Sequence, residues 1–151
     1  MPKLSGIFGS LAISSSGMNV QRARIDAISS NVANIHTTKI EGGSYYKRKV
    51  VILREQQDNI NFSSVLSGIM GNLAGSEFSG VEVLRIMEID DGPKMIYEPN
   101  HPEANDEGMV SYPNINIIEE MVNMIISSRS FEANLTVFNT AKEMISQSLE
   151  I

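Results

Sequence analysis

Residues 113–149 read PNINIIEEMVNMIISSRSFEANLTVFNTAKEMISQSL, and this stretch decides the architecture. Alternating steps of four and three from Ile117 give Met121, Met124, Ser128, Phe131, Leu135, Phe138, Lys142, Ile145 and Leu149, and eight of these ten positions are apolar. That is the repeat of a helix presenting one seam to a partner. A second stripe, Ile118, Val122 and Ile125, widens the apolar face in the first half. The start is well signalled. Pro113 precedes it, Asn116 is placed to cap the free amides, and Glu119 and Glu120 fall in the first turn, where the helix dipole favours anions. About 33 residues at 1.5 Å each predict a helix of roughly 50 Å.

The front of the chain carries a matching pattern from about Ser5 to Ile35. Leu4, Leu11, Met18, Ile25 and Val32 recur every seven residues, with Ile7, Ser14, Gln21, Ile28 and Ile35 as companions. Gly17 sits inside this helix at a cost of about 1 kcal/mol relative to alanine. It serves either close packing or a bend.

Between the ends the period changes. Tyr45 to Leu53 and Val81 to Ile89 are rich in β-branched and aromatic residues and read as strands. Asp90-Asp91-Gly92-Pro93 is a turn signal, after which Lys94 to Tyr97 reads as a returning strand. Residues 55–80, rich in Asn, Ser and Gly, read as a mobile loop with a short helical piece around Val65 to Met70. Glu98 to Asn116 reads as an extended connector. The expected class is therefore α+β: two long terminal helices pairing as a coiled coil, with a small β-rich middle domain. The expected divisions are 1–40, 41–113 and 114–151.

A lone helix with such a stripe is unstable in water. A fully buried large side chain is worth about 1.5–3 kcal/mol. Eight exposed ones forfeit about 10 kcal/mol, comparable to the stability of a whole domain. Pairing of the two ends covers part of this surface. A closed intramolecular bundle and an assembly of several subunits both complete it.

Composition excludes several classes. The 151 residues contain no cysteine, so disulfides, thiolate nucleophiles and cysteine-bound metals are out. No run of about 18 apolar residues is present to span a membrane. The net charge of −6 divides unevenly. Residues 1–54 hold 8 basic and 2 acidic residues, and residues 55–151 hold 4 and 16. A basic front and acidic back suit head-to-tail contact. They do not suit nucleic acid, because Lys47-Arg48-Lys49 is a short cluster on an otherwise phosphate-repelling chain. A cleaved signal peptide is not expected, since only Lys3 precedes a short, interrupted apolar stretch. An amphipathic membrane binder would need basic polar faces. The last segment, 114–151, instead sets five glutamates against Arg129 and Lys142.

Catalytic constellations are missing. His36 and His101 lie in different segments without a second ligand at helical spacing, so neither metal nor other cofactor is expected. Ser14, Ser15 and Ser16 have no histidine nearby in sequence. Glu88, Asp90, Asp91 and Glu98 cluster near the turn, and a carboxylate pair there could hydrolyse a glycosidic bond. A small carboxylate-dependent hydrolase with helical arms is the rival reading, against a solvated acidic rim.

Ser16-Gly17-Met18-Asn19-Val20-Gln21, Ser30-Asn31-Val32-Ala33-Asn34 and Thr37-Thr38 resemble the N-terminal signature of the bacterial flagellar rod and hook proteins. Thr37-Thr38-Lys39 with Gly42-Gly43-Ser44-Tyr45-Tyr46-Lys47-Arg48-Lys49 resembles the proximal-rod branch of that family more narrowly. So do Tyr97-Glu98-Pro99-Asn100-His101-Pro102-Glu103-Ala104-Asn105, Gly108-Met109-Val110 and Pro113-Asn114-Ile115-Asn116. In the last helix, Glu119-Glu120-Met121-Val122, Ser128-Arg129-Ser130-Phe131, Ala133-Asn134 and Asn139-Thr140-Ala141-Lys142 complete the likeness. Two departures stand out. Met109 replaces a usual aromatic, and Lys39-Ile40 replaces the Gly-aromatic pair of the general signature, which favours the proximal over the distal branch.

The resemblance implies a structural subunit of the rod that transmits torque from motor to hook, without catalysis. It implies uncleaved export through the flagellar type III channel to a periplasmic rod. It also implies neighbours FlgB, FlgF, FlgG and FliE as well as copies of the chain itself, with no nucleic acid and no membrane insertion. The residues expected to carry assembly are Leu11, Met18, Ile25, Ile28 and Val32 in the first helix. In the last they are Ile117, Met121, Met124, Phe131, Leu135, Phe138, Ile145 and Leu149. Leu11, Met18, Ile25 and Val32 are expected to bury against Ile117, Met124, Phe131, Leu135 and Phe138. Asn31, Asn34 and Thr37 are the motif positions, with the asparagines expected to cap or bridge at the end of the first helix.

Overall fold

The computed structural model describes residues 4–39, 45–56 and 79–149. The expected loop at 55–80, with its helical piece, falls largely outside the described residues. The elements run α1 (Leu4–Ala33), β1 (Arg48–Glu55), β2 (Val81–Ile89), β3 (Lys94–Tyr97), β4 (Met109–Tyr112) and α2 (Ile117–Leu149). The class is α+β, with two long helices at the ends and small antiparallel sheets between them.

Helix α2 begins where its capping residue places it. The Ile118 amide donates to Asn116 Oδ1 at 3.0 Å and the Glu120 amide to the Asn116 carbonyl at 3.0 Å. At the end of α1, Asn34 donates to the Ser30 carbonyl from both its backbone N (3.2 Å) and its Nδ2 (2.8 Å). Thr37 Oγ1 then donates to Asn34 Oδ1 at 3.2 Å. A carbonyl left free by the end of the helix is satisfied in this way.

The strands form two separate two-stranded sheets, β1 with β2 and β3 with β4. In the first, Arg54 Nε meets Glu82 at 3.0 Å and the Gln56 amide meets the Gly80 carbonyl at 2.8 Å. The index falls on β2 as it rises on β1, so the pair is antiparallel. In the second, Lys94 faces Tyr112 and Tyr97 faces Met109. This corrects the expectation that Lys94 to Tyr97 returns along β2. Its partner lies within the stretch read as a connector, where three prolines masked the short apolar strand Met109–Tyr112. The loop closes through Asn105, whose Oδ1 accepts the amides of Glu107 (3.0 Å) and Met109 (2.8 Å). Gly108 follows at φ +73°, with a Cβ position only 2.9 Å from the Tyr97 ring, so a side chain there would meet both strain and a clash.

The chain divides into two compact units. The first takes in α1 up to Gln21, the strand residues 53–56 and 79–84, and α2 from Arg129. Val20, Ser14 and Ala141 are buried in it. Gly17 and Asn134 approach so closely there that a Cβ on Gly17 would lie 2.8 Å from Asn134 Nδ2. Gly17 therefore serves close helix packing. The second unit takes in α1 from Arg22, the chain to Ile52, and Arg85 to Ser128. Ala27, Ile28, Tyr46, Val51 and Val110 form its apolar core, beside the buried polar residues Asn31, Glu120 and Ser127.

Candidate functional site

The second unit is organised around one amide. Asn31, near the end of α1, is 1% exposed. Its Nδ2 donates to the Lys49 carbonyl at 2.9 Å and to Glu120 Oε2 at 3.1 Å. Its Oδ1 accepts the Lys49 amide at 2.8 Å and the Tyr46 hydroxyl at 3.1 Å. Both donors and both lone pairs are used. Toward β1 the side chain behaves as a peptide group, pairing with the N–H and C=O of one residue as a neighbouring strand would.

Glu120, also 1% exposed, completes the cluster. Its Oε1 accepts Arg48 Nε at 2.8 Å and Nη2 at 2.6 Å. Arg48 also lies 3.6 Å from the exposed Glu119. Tyr46 shares a 2.9 Å hydrogen bond with Ser30, and the Lys49 ammonium sits 5.7 Å from the Tyr46 ring centroid. A buried carboxylate costs several kcal/mol unless paired and hydrogen-bonded, and here it has both. α1, β1 and the first turn of α2 are thus joined by directional bonds.

Asn31, expected to cap or bridge at the end of α1, bonds to β1 and α2, whereas Glu120, expected only as an anion in the first turn of α2, is a member of the cluster that the sequence did not point to. A signal was present. Glu120, Ser127, Asn134 and Ala141 recur every seven residues, and they form the most covered side of α2, with Asn134 half-buried and the other three buried. Met124, Phe131, Phe138 and Ile145 lie half-buried beside them. The inner face of α2 is therefore small and polar on one edge and apolar on the other. Leu11, Met18, Ile25 and Val32 are half-buried on α1, and Ile28 is buried. Ile117, Met121, Leu135 and Leu149 are instead exposed, at 44, 54, 41 and 78%. The expected burial of Ile117 and Leu135 against α1 is not seen in the single chain, where small side chains share the inner face with the half-buried Met124, Phe131, Phe138 and Ile145 and leave Ile117, Met121, Leu135 and Leu149 open. The second stripe is open too, with Ile118 at 70%, Val122 at 48% and Ile125 at 60%. Thr37 is half-buried.

Two of the four acidic residues near the turn, Asp90 and Glu98, have other duties. Asp90 lies 2.8 Å from Lys47 Nζ and accepts the Tyr45 hydroxyl. Those hydrogen bonds, from Lys47 first and Tyr45 second, lower its pKa to about 2, the wrong direction for a general acid. Glu98 accepts the Tyr112 hydroxyl at 3.0 Å, which raises the tyrosine's pKa. His36 and His101 both approach the Tyr112 ring, at centroid distances of 6.4 and 6.5 Å. No group of three or more metal-ligating side chains occurs among the described residues.

The motifs lie on this framework. Residues 11–39, which include Asn31, Asn34 and Thr37, match the family model "Flagella basal body rod protein". Residues 106–151, which include all of α2, match "Flagellar basal body rod FlgEFG protein C-terminal". The chain is 40% identical over 148 residues to flagellar basal-body rod protein FlgC of Bacillus subtilis, covering 95% of this chain and 97% of that protein. It is 38% identical over 152 residues to FlgC of Borreliella burgdorferi, with 97% of each chain covered. With FlgC of Aquifex aeolicus it shares 36% over 144 residues, 95% of this chain and 96% of that one. Nothing in these likenesses supports a hydrolase. With both signature segments matched and the likeness running nearly end to end, the chain belongs to the FlgC family of flagellar basal-body rod proteins.

Proposed function

We propose that this chain is a load-bearing, non-catalytic subunit of the proximal rod, passing torque from motor to hook through stacked, interlocked helices. Family membership carries assembly with other basal-body rod components and a location in the flagellar basal body. The finer reading makes the neighbours FlgB, FlgF, FlgG, FliE and further copies of the chain. It sets the subunit in the periplasmic rod after export through the flagellar type III channel. Residues 1–40 and 114–151 form the helical inner layer in this reading, and 41–113 the β-rich outer layer.

The observation that carries it is the open apolar row on α2. Ile118, Met121, Val122 and Ile125 follow at helical spacing and are each about half exposed or more. At about 2 kcal/mol for each fully buried side chain, covering what they expose is worth roughly 5 kcal/mol. A neighbour that covers them recovers that energy. The test is Ile125→Asp. The isolated variant is expected to keep its helix content by circular dichroism, while cells carrying it assemble no rod and do not swim. Swimming cells would refute the proposal.

A further inference from the structure

Arg24 stands four residues before Ile28 and seven before Asn31, on the side of α1 that those buried residues turn inward. It is half-buried, and it makes no ion pair or hydrogen bond among the described residues. A guanidinium carries several donors and is seldom turned inward without a partner for them. Arg24 lines a cavity of about 260 Å³ with Arg48, Lys49, Glu120 and Ile126. The charged groups of that lining are three cations and one anion. The anion, Glu120, is already held by Arg48 and Asn31. Lys49 makes no ion pair among the described residues, and its ammonium sits against the Tyr46 ring. Two positive charges therefore share one cavity without a counter-charge, which is repulsive in the lone chain.

The apolar part of the lining says what kind of anion fits. Ile126 is 55% exposed and stands one turn past Val122, so the lining runs on into the open row of α2. The volume falls below the roughly 300–1,000 Å³ of small-molecule pockets and suits a side chain or two. A free anion would neutralise the cations and leave the row in water.

The geometry points to a socket for a carboxylate side chain of a neighbouring rod subunit. That carboxylate enters beside Arg24 and Lys49 and takes two parallel hydrogen bonds from the guanidinium. Apolar side chains next to it on the neighbour cover Ile126 and the end of the row. The partner segment thus carries an aspartate or glutamate set among large apolar residues. The socket rests on the rod reading above and supplies the chemistry of one of its contacts.

Carbodiimide joins an ammonium to a carboxylate in contact with it as an amide, itself taking up the water released. In purified basal bodies it is expected to couple Lys49 to an aspartate or glutamate of another polypeptide. The product runs above the single chain on a denaturing gel, its linked peptides are identified by mass spectrometry, and Lys49→Arg removes it. Coupling of Lys49 within its own chain, or no coupling of Lys49 at all, would overturn the socket. Arg24→Met keeps most of the aliphatic stem and gives up the charge. The isolated variant is expected to melt no lower than wild type, since it loses no bond and relieves a like-charge contact, while cells carrying it do not swim. A variant that swims, or one that melts lower, would overturn the socket as well. Swimming by a strain that lacks the chain altogether would instead refute the rod reading, and the socket with it.

Discussion

Replacing Asn31 separates hydrogen bonding from shape. Asn31→Ala removes four hydrogen bonds, one of them to a carboxylate, from a side chain that is 1% exposed. Ordinary bonds contribute about 1 kcal/mol each and the charged one about 2, and the groups left behind are buried. A loss of about 4 kcal/mol follows after partial relaxation, a large share of the stability of a small domain. Asn31→Asp is nearly isosteric and keeps the two accepting contacts. It cannot donate to the Lys49 carbonyl, however, and it sets a second carboxylate about 3 Å from Glu120, as the 3.1 Å contact requires. At an effective dielectric of about 20 that repulsion is roughly 5 kcal/mol, partly offset by Arg48. The expected order at pH 7 is wild type, then alanine, then aspartate. The aspartate variant also acquires a distinctive pH dependence. Two adjacent carboxylates retain a shared proton, so a folded-state pKa rises above the unfolded value near 4. Its destabilisation is fully present at neutral pH and fades as pH falls through that raised value. Urea unfolding followed by circular dichroism at pH 7 and pH 5 measures both effects. An aspartate variant as stable as wild type, or more stable than the alanine variant at pH 7, would refute the assignment of the amide.

Gly17→Ala should destabilise, although alanine gains about 1 kcal/mol of helix propensity, because its Cβ would meet Asn134 at 2.8 Å. Adding Asn134→Ala should restore stability in thermal melts, and a stabilised single variant would count against close packing at that point. The Asp90 carboxyl should titrate near 2 by carbon NMR, so its contribution to stability is present above about 4 and lost as pH falls through 2. A titration near 4 would refute the Lys47 and Tyr45 attachment. Asp90→Asn with Asp91→Asn should still assemble rods, as seen by electron microscopy of basal bodies, since no chemistry runs through that turn.

The ends of the chain were legible because their signals are local. Asn116 and the paired glutamates mark the start of α2 whatever packs on it, and the β-branched run marks β2. The pairing of β3 with β4 depends on Asn105 and Gly108 closing a loop, and composition averages over such single residues. The seam of α2 was displaced by one residue for a different reason. Periodicity finds the most apolar face, and here only its Met124, Phe131, Phe138 and Ile145 edge is half-buried while its Ile117, Met121, Leu135 and Leu149 edge is open. The inward edge runs through Glu120, Ser127, Asn134 and Ala141, which no hydrophobicity count would select. Glu120 was hidden twice, since its place in the first turn already had a sufficient explanation.

Apolar contacts are non-directional, so two helices held by them alone slide past each other at little cost. Asn31 has no such freedom. A slip of one residue along α1 would carry its amide about 1.5 Å from Lys49 and break all four bonds together. The amide therefore acts as a key in a slot: twist applied to the helix reaches the strand as shear on a few short bonds, with little slack before load is borne.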